Sequence, residues 1–278
     1  MQIMEELVFL KLGGSLITEK TQRYTPRLSK LKALAHEIRE AMAANPSLRL
    51  ILGHGSGSFG HFAVREHLDA SALGGSTDGN TGPNTRFWMG FAQVWYRASQ
   101  LNRHVVEACH EAGMPVISLA PSATVTTAGD RIVSWDLSPL RAALDSGLVP
   151  MVYGDVVFDQ TQGGRVLSTE SLLWHLAHEL KPKRILLAGL EQAVWADFPD
   201  RSTPIGTITP ATLAQWTAAI GGSDGTDVTG GMRSKVIEML DLVQAIPGLT
   251  VRIFSGDLAG NVARAVAGDS LGTLITCD

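Results

Sequence analysis

Short apolar runs, several ending in glycine turns, alternate along nearly the whole chain with segments of helical period. Residues 7–12, 48–52, 115–119, 150–153, 184–188, 251–254 and 273–276 read as strands, and 131–135 as another. Between them, residues 28–44, 86–112, 171–180 and 232–246 read as helices, the second as one long helix or two. Asn45-Pro46 and Gly113 stop the first two. Runs this apolar have no solvent face, so the alternation predicts an α/β fold: a three-layer αβα sandwich with a largely parallel central sheet. Residues 1–278 are expected to form one domain whose lobes, 1–164 and 165–278, share that sheet.

Three glycine turns concentrate the chemistry. After the run 7–10 comes Lys11-Leu12-Gly13-Gly14-Ser15, with Lys20 in the loop beyond. A lysine ending a buried strand is costly to desolvate unless an anion meets it. After 48–52 comes His54-Gly55-Ser56-Gly57-Ser58-Phe59-Gly60-His61, before a helix expected from about residue 62. Such a turn brings backbone N–H groups toward an anion, and the helix start adds partial positive charge. Amide donors beside an imidazole, with no carboxylate near, suit a substrate that already carries a phosphate. The third stretch is Asp227-Val228-Thr229-Gly230-Gly231-Met232-Arg233-Ser234-Lys235. Asp227 or Thr229 would cap its helix, and Lys235 in the first turn would oppose the helix dipole unless an anion binds there. Neither a Walker loop nor a dinucleotide fingerprint occurs.

Together with Tyr153-Gly154-Asp155-Val156-Val157 and Ser168-Thr169-Glu170, these elements resemble the amino acid kinase superfamily and, within it, the isopentenyl phosphate kinases. The resemblance covers nearly the whole chain. Ser58-Phe59-Gly60-His61 is its more specific mark, shared with the fosfomycin kinases. It implies a transferase that phosphorylates isopentenyl phosphate from ATP, giving isopentenyl diphosphate for isoprenoid biosynthesis. The alternatives are a kinase for another small phosphate or phosphonate, such as fosfomycin, or a catalytically silent ligand sensor.

The resemblance also assigns roles. Lys11 would touch the transferring phosphoryl group, and Lys20 the β/γ region of ATP. Lys235 and Gly231 would meet the nucleotide phosphates from the C-terminal lobe, and Gly13, Gly14 and Ser15 would offer backbone donors. His61 would hydrogen-bond the acceptor phosphate, helped by the amides of Gly55, Ser56 and Gly60, with Gly57 and Gly154 lining the same subsite. Mg²⁺ would arrive with ATP, held by phosphate oxygens and water, without a dedicated protein metal site. A cytoplasmic homodimer is expected.

Departures from the family pattern fall at Ser56, where many relatives carry glycine, and at Glu170, where an aspartate usually orients the lysines. In residues 189–197, Glu191-Gln192-Ala193-Val194-Trp195 replaces the usual Asp-Gly-Val-Tyr. Phe87, Trp88, Met89, Phe91, Val94, Trp95 and Tyr96 crowd one helical segment, with Phe87, Phe91, Val94 and Trp95 on one face, as core, dimer interface or a slot for a five-carbon tail. His54 is expected to brace its turn.

A net charge of −4 gives no reason to expect nucleic acid or an anionic membrane as partner. No apolar run approaches a membrane span, and Glu5 and Glu6 precede no signal-like segment. Two cysteines without metal-like spacing suit a reducing compartment. The glycine-rich stretches 74–82 and 221–225 are expected to be mobile.

Overall fold

The computed structural model of the chain describes residues 6–68, 85–216 and 231–278. In order, it contains β1 (Glu6–Leu12), α1 (Gly14–Ile17), α2 (Leu28–Ala44), β2 (Leu48–His54), α3 (Gly57–His67), α4 (Thr85–Glu111), β3 (Val116–Ser118), α5 (Pro121–Thr124), β4 (Val125–Ala128) and β5 (Arg131–Trp135). These are followed by α6 (Ser138–Asp145), β6 (Val149–Tyr153), β7 (Asp155–Asp159), β8 (Gly163–Leu167), α7 (Thr169–Leu180), β9 (Arg184–Gly189), β10 (Val194–Trp195), β11 (Pro204–Ile205) and β12 (Thr207–Ile208). The chain ends with α8 (Leu213–Trp216), α9 (Gly231–Ala245), β13 (Thr250–Ser255), α10 (Asn261–Ala267) and β14 (Thr273–Ile275).

Eight strands form one sheet in the order β12-β14-β13-β9-β1-β2-β6-β3, and every neighbouring pair but β13–β14 is parallel. The expected αβα sandwich is therefore present. Because side chains alternate along a strand, β1 sends Val8, Leu10 and Leu12 into the core under α2, α4 and α10. Phe9 enters the opposite core, under α6, α7 and α9. Lys11 has the parity of Phe9, so it belongs to the face covered by α7 and α9.

Two sequence expectations are corrected. First, α3 begins at Gly57, not near residue 62. Gly57 takes φ +50°, a left-handed conformation that glycine adopts without strain, so the chain enters the helix straight from the turn. Second, β4, β5, β7 and β8 form a separate sheet, in the order β5-β4-β7-β8, of which sequence reading identified only residues 131–135. Its strands are short and partly exposed, and β8 opens on Gly163-Gly164. Gly164 is needed there, since a Cβ would stand 2.7 Å from the Phe91 ring of α4. Residues 164 and 165, where the lobes are expected to meet, lie in β8. α4 is one continuous helix. Stretches 74–82 and 221–225, and the Asp227 and Thr229 caps, lie outside the described residues.

Candidate active site

The chain leaves β1 for β2 on one side, whereas its C-terminal half places β9 on the other. This reversal makes the carboxyl end of β1 a switch point, where open parallel sheets leave a crevice for ligands. The Gly13 N–H bridges the crevice to Ala188 O on β9, at 2.8 Å. The two N-terminal glycine turns meet backbone to backbone beside it. A Cβ on Gly14 would stand 2.6 Å from Gly57 Cα and closer still to Gly57 N, and one on Gly55 would stand 2.8 Å from Gly14 N. Thr18 rivets the pair: its hydroxyl donates to Gly14 O at 2.8 Å and accepts from Ser58 N–H at 3.0 Å.

Charge converges on the same place. The Lys11 ammonium forms a short ion pair with Glu170 Oε1, both residues being buried. Lys235 Nζ lies 3.9 Å from the same oxygen and is more exposed. Glu170 sits in the first turn of α7, whose N-cap Ser168 accepts from Ser171 N–H at 3.0 Å. Burial alone would push the Glu170 carboxyl up, but Lys11 and then Lys235 outweigh it and hold the group below its usual range. Strand β1, helix α7 and helix α9 thus place two lysines on one carboxylate. Glu170 is therefore a buried, ion-paired carboxylate and not a solvated one.

Several backbone donors expected from sequence are already committed. Gly13 N–H is donated to Ala188 O, Gly55 N–H to Leu12 O at 2.9 Å, and Gly60 N–H to Ser56 O at 3.1 Å. These positions contribute close approach, not open amides. A Cβ on Gly60 would be 2.5 Å from Ser56 Cβ, so the Ser56 side chain packs on Gly60. Gly14 and Ser15 head α1, and Ser56 N–H makes no hydrogen bond among the described residues. Gly154 N–H and the Thr169 hydroxyl both donate to His54 O, at 3.2 and 2.7 Å, tying β6 and α7 to the end of β2. Gly231 is buried with φ +71° and opens the helix carrying Lys235.

His61 lies exposed on α3, on the second turn rather than closing the loop. Lys20 is exposed on a turn whose flanks are joined by the Thr18–Pro26 bridge. His54 is fully buried with its ring nitrogens on Gly55 O and Asn102. Phe87, Phe91 and Val94 are buried with Ala63, Leu68 and Val156, whereas Met89, Trp95 and Tyr96 are exposed. Trp95 therefore does not join the buried face expected of it. Phe91 and Trp88 reach Phe158 of β7, with ring centroids 5.3 and 6.0 Å apart. After β9, Glu191 accepts from Trp195 Nε1 at 2.7 Å and from Arg201 Nε at 3.2 Å, and β10 pairs with β11. Sequence reading did not foresee this self-tied hairpin.

The model of the amino acid kinase family matches residues 6–255. The isopentenyl phosphate kinase of Methanothermobacter thermautotrophicus is 34% identical over 275 residues, spanning 97% of this chain and 99% of that one. That of Methanocaldococcus jannaschii is 30% identical over 273 residues, spanning 97% and 98%. A solved structure of an isopentenyl phosphate kinase, 31% identical, superposes with a TM-score of 0.79 and covers 97% of this chain and 100% of its own.

Proposed function

The chain belongs to the amino acid kinase family and, within it, to the isopentenyl phosphate kinases; on that premise we propose that it transfers the γ-phosphoryl group of ATP to isopentenyl phosphate, giving isopentenyl diphosphate. The observation that carries this reading is the meeting of Lys11 and Lys235 on Glu170 at the switch point of the sheet.

Two phosphate-bearing reactants repel each other. Two like charges ~4 Å apart cost about 4 kcal/mol at an effective dielectric near 20. Lys11, fixed on the central strand, neutralises charge on the transferring group, and Lys235 does so from the nucleotide side. Glu170 holds both ammonium groups in place. Lys20, on its exposed turn, approaches the β- and γ-phosphates, while the backbone of Gly14 and Ser15 at the start of α1, with Gly231 at the start of α9, faces the nucleotide. The acceptor phosphate lies on the loop of Gly55, Ser56, Gly57 and Gly60, with Gly154 behind it and His61 donating from α3. A phosphate monoester with a second pKa near 6 is already a nucleophile at neutral pH, so no strong base is needed. Catalysis rests on positioning and charge stabilisation.

Mg²⁺ accompanies ATP. Phosphate oxygens and water would hold the ion. The isopentenyl tail packs near Phe87, Trp88 and Phe91. Exposed Met89, Trp95 and Tyr96 on α4 offer an apolar surface for a second copy of the chain. No helix among the described residues is long and apolar enough to cross a membrane. Two free cysteines, Cys109 buried and Cys277 exposed, suit the cytoplasm.

The test is ³¹P NMR of the purified protein with Mg²⁺-ATP and isopentenyl phosphate, dimethylallyl phosphate or fosfomycin in parallel reactions. The diphosphate product should form fastest from isopentenyl phosphate. Phosphorylation of fosfomycin alone, or ATP binding without turnover of any acceptor, would replace this reading with one of its alternatives.

A further inference from the structure

His54 faces two oxygen atoms from the interior of the protein. Its Nδ1 is 3.2 Å from Gly55 O and its Nε2 is 3.2 Å from Asn102 Oδ1. The ring lies parallel to Tyr153, centroids 5.4 Å apart with 4° between planes. Burial pushes its pKa down to about 4, and Lys11 adds to the effect, so at neutral pH the ring carries one N–H. One N–H cannot serve two carbonyl oxygens. Asn102 resolves the conflict, because its amide also meets Ser118 Oγ, at 2.9 Å from Nδ2 and 3.1 Å from Oδ1. With the amide turned so that Nδ2 faces the ring, every group has a partner. Ser118 O–H donates to Asn102 Oδ1, Asn102 N–H donates to His54 Nε2, and His54 Nδ1–H donates to Gly55 O.

The consequence lies on the other side of the peptide. In a planar trans peptide the N–H points opposite to the C=O. Gly55 O is tied inward to the buried ring, so Ser56 N–H points away from it. That N–H is unpaired among the described residues, whereas Gly55 and Gly60 have donated theirs to backbone oxygens. Ser56 is a half-buried residue, so its N–H can be reached by a ligand that takes it.

We propose that His54 is a positioning residue: its Nδ1–H locks the Gly55–Ser56 peptide so that Ser56 N–H is presented to the acceptor phosphate, and Asn102 enforces the tautomer that makes this possible. This rests on the reading of the loop as the acceptor subsite. It also gives Ser56 two separate roles. The position works through its backbone N–H, while its side chain packs on Gly60.

The first measurement is ¹⁵N NMR of the histidine rings in the wild-type protein at pH 7. His54 is expected as the neutral Nδ1–H tautomer, and the Nε2–H tautomer would overturn the proposal whatever the substrate. The second follows the Ser56 amide during titration with inorganic phosphate. It should shift in the wild type and respond less in His54→Leu, and a Ser56 amide unmoved in the wild type would overturn the proposal. The third is steady-state kinetics. His54→Leu should raise KM for isopentenyl phosphate about 10-fold or more, the loss of one hydrogen bond to a charged group, with KM for ATP little changed. His54→Asn, whose amide can still donate to Gly55 O, should recover most of it. Equal changes in both KM values, or no rescue, would mark His54 as merely structural. If the wild type does not phosphorylate isopentenyl phosphate, the functional reading fails, and the two NMR measurements still decide the role of His54.

Discussion

Lys11 and Glu170 lie 159 positions apart in the chain and form a buried ion pair at the switch point of the sheet, the same carboxylate standing 3.9 Å from Lys235. A strand-end lysine and a helix-start glutamate are each unremarkable alone. Joined, they bring two cations together at the carboxyl end of β1, where the proposed transfer takes place.

Glu170→Gln should therefore cost both stability and turnover. Removing one partner of a buried pair leaves the other charge uncompensated, typically at ~3–5 kcal/mol. The pH sign follows from the depressed carboxyl. The stability it contributes is present above the unfolded value near 4.5 and is lost as pH falls through the lower folded value. Urea unfolding across pH should show that acid-side loss in the wild type and a smaller one in the variant. Matching stability and pH dependence would remove Glu170 from this role.

Gly14→Ala should damage the protein by steric means. The added Cβ meets the backbone of Gly57, which cannot rotate away. Loss of both thermal stability and activity is expected. Gly189→Ala, where the nearest atom to a new Cβ is Glu191 N at 4.0 Å, serves as the tolerant control. Equal effects at the two positions would show that the glycine turns are not in forced contact.

Much of this arrangement is legible in the sequence, and the limits have physical reasons. The helix at 28–44 matches α2, and the β1–Lys11–glycine order places the crevice. The second sheet escapes because residues 125–128, 155–159 and 163–167 are short strands, and the last begins with paired glycines. A glycine turn announces that something approaches closely without saying what. For Gly14 and Gly55 it is the other turn, and the amides of Gly13, Gly55 and Gly60 are consumed by backbone carbonyls. Whether Glu170 is solvated or buried depends on a lysine far away in sequence, which no local pattern encodes.

Two buried groups should oppose each other in mild acid. Burial pushes Asp155 up to about 6, against hydrogen bonds from Ser122 and Val156 N–H, so its stabilising contribution is full below 3.8 and lost as pH rises through 6. Burial pushes His54 down to about 4, so its contribution is present above 6.5 and lost as pH falls toward 4. Asp155→Asn removes the first term. Relative to the wild type, the variant should gain about 2 kcal/mol between pH 4 and 6.5, at ~1.4 kcal/mol per tenfold change in proton affinity. Parallel denaturation profiles would contradict this.

His61 should act as a hydrogen-bond donor and not as an obligatory base, since the acceptor phosphate is already ionised. His61→Gln should keep part of the activity, and His61→Ala should lose ~1.5–3 kcal/mol of transition-state stabilisation. Initial rates of both variants across pH decide the matter. Equal inactivity, with wild-type activity falling below a histidine-like pKa for an acceptor that stays dianionic, would make His61 a base.

The most direct test of the account is single-turnover transfer from Mg²⁺-ATP to isopentenyl phosphate by the wild type and Lys11→Ala, with ATP affinity measured separately. The account predicts a transfer rate ~10²–10³-fold lower in the variant, as for other groups aimed at developing charge, with ATP still bound and the fold intact. A variant that folds, binds ATP and transfers phosphate at nearly the wild-type rate would contradict it.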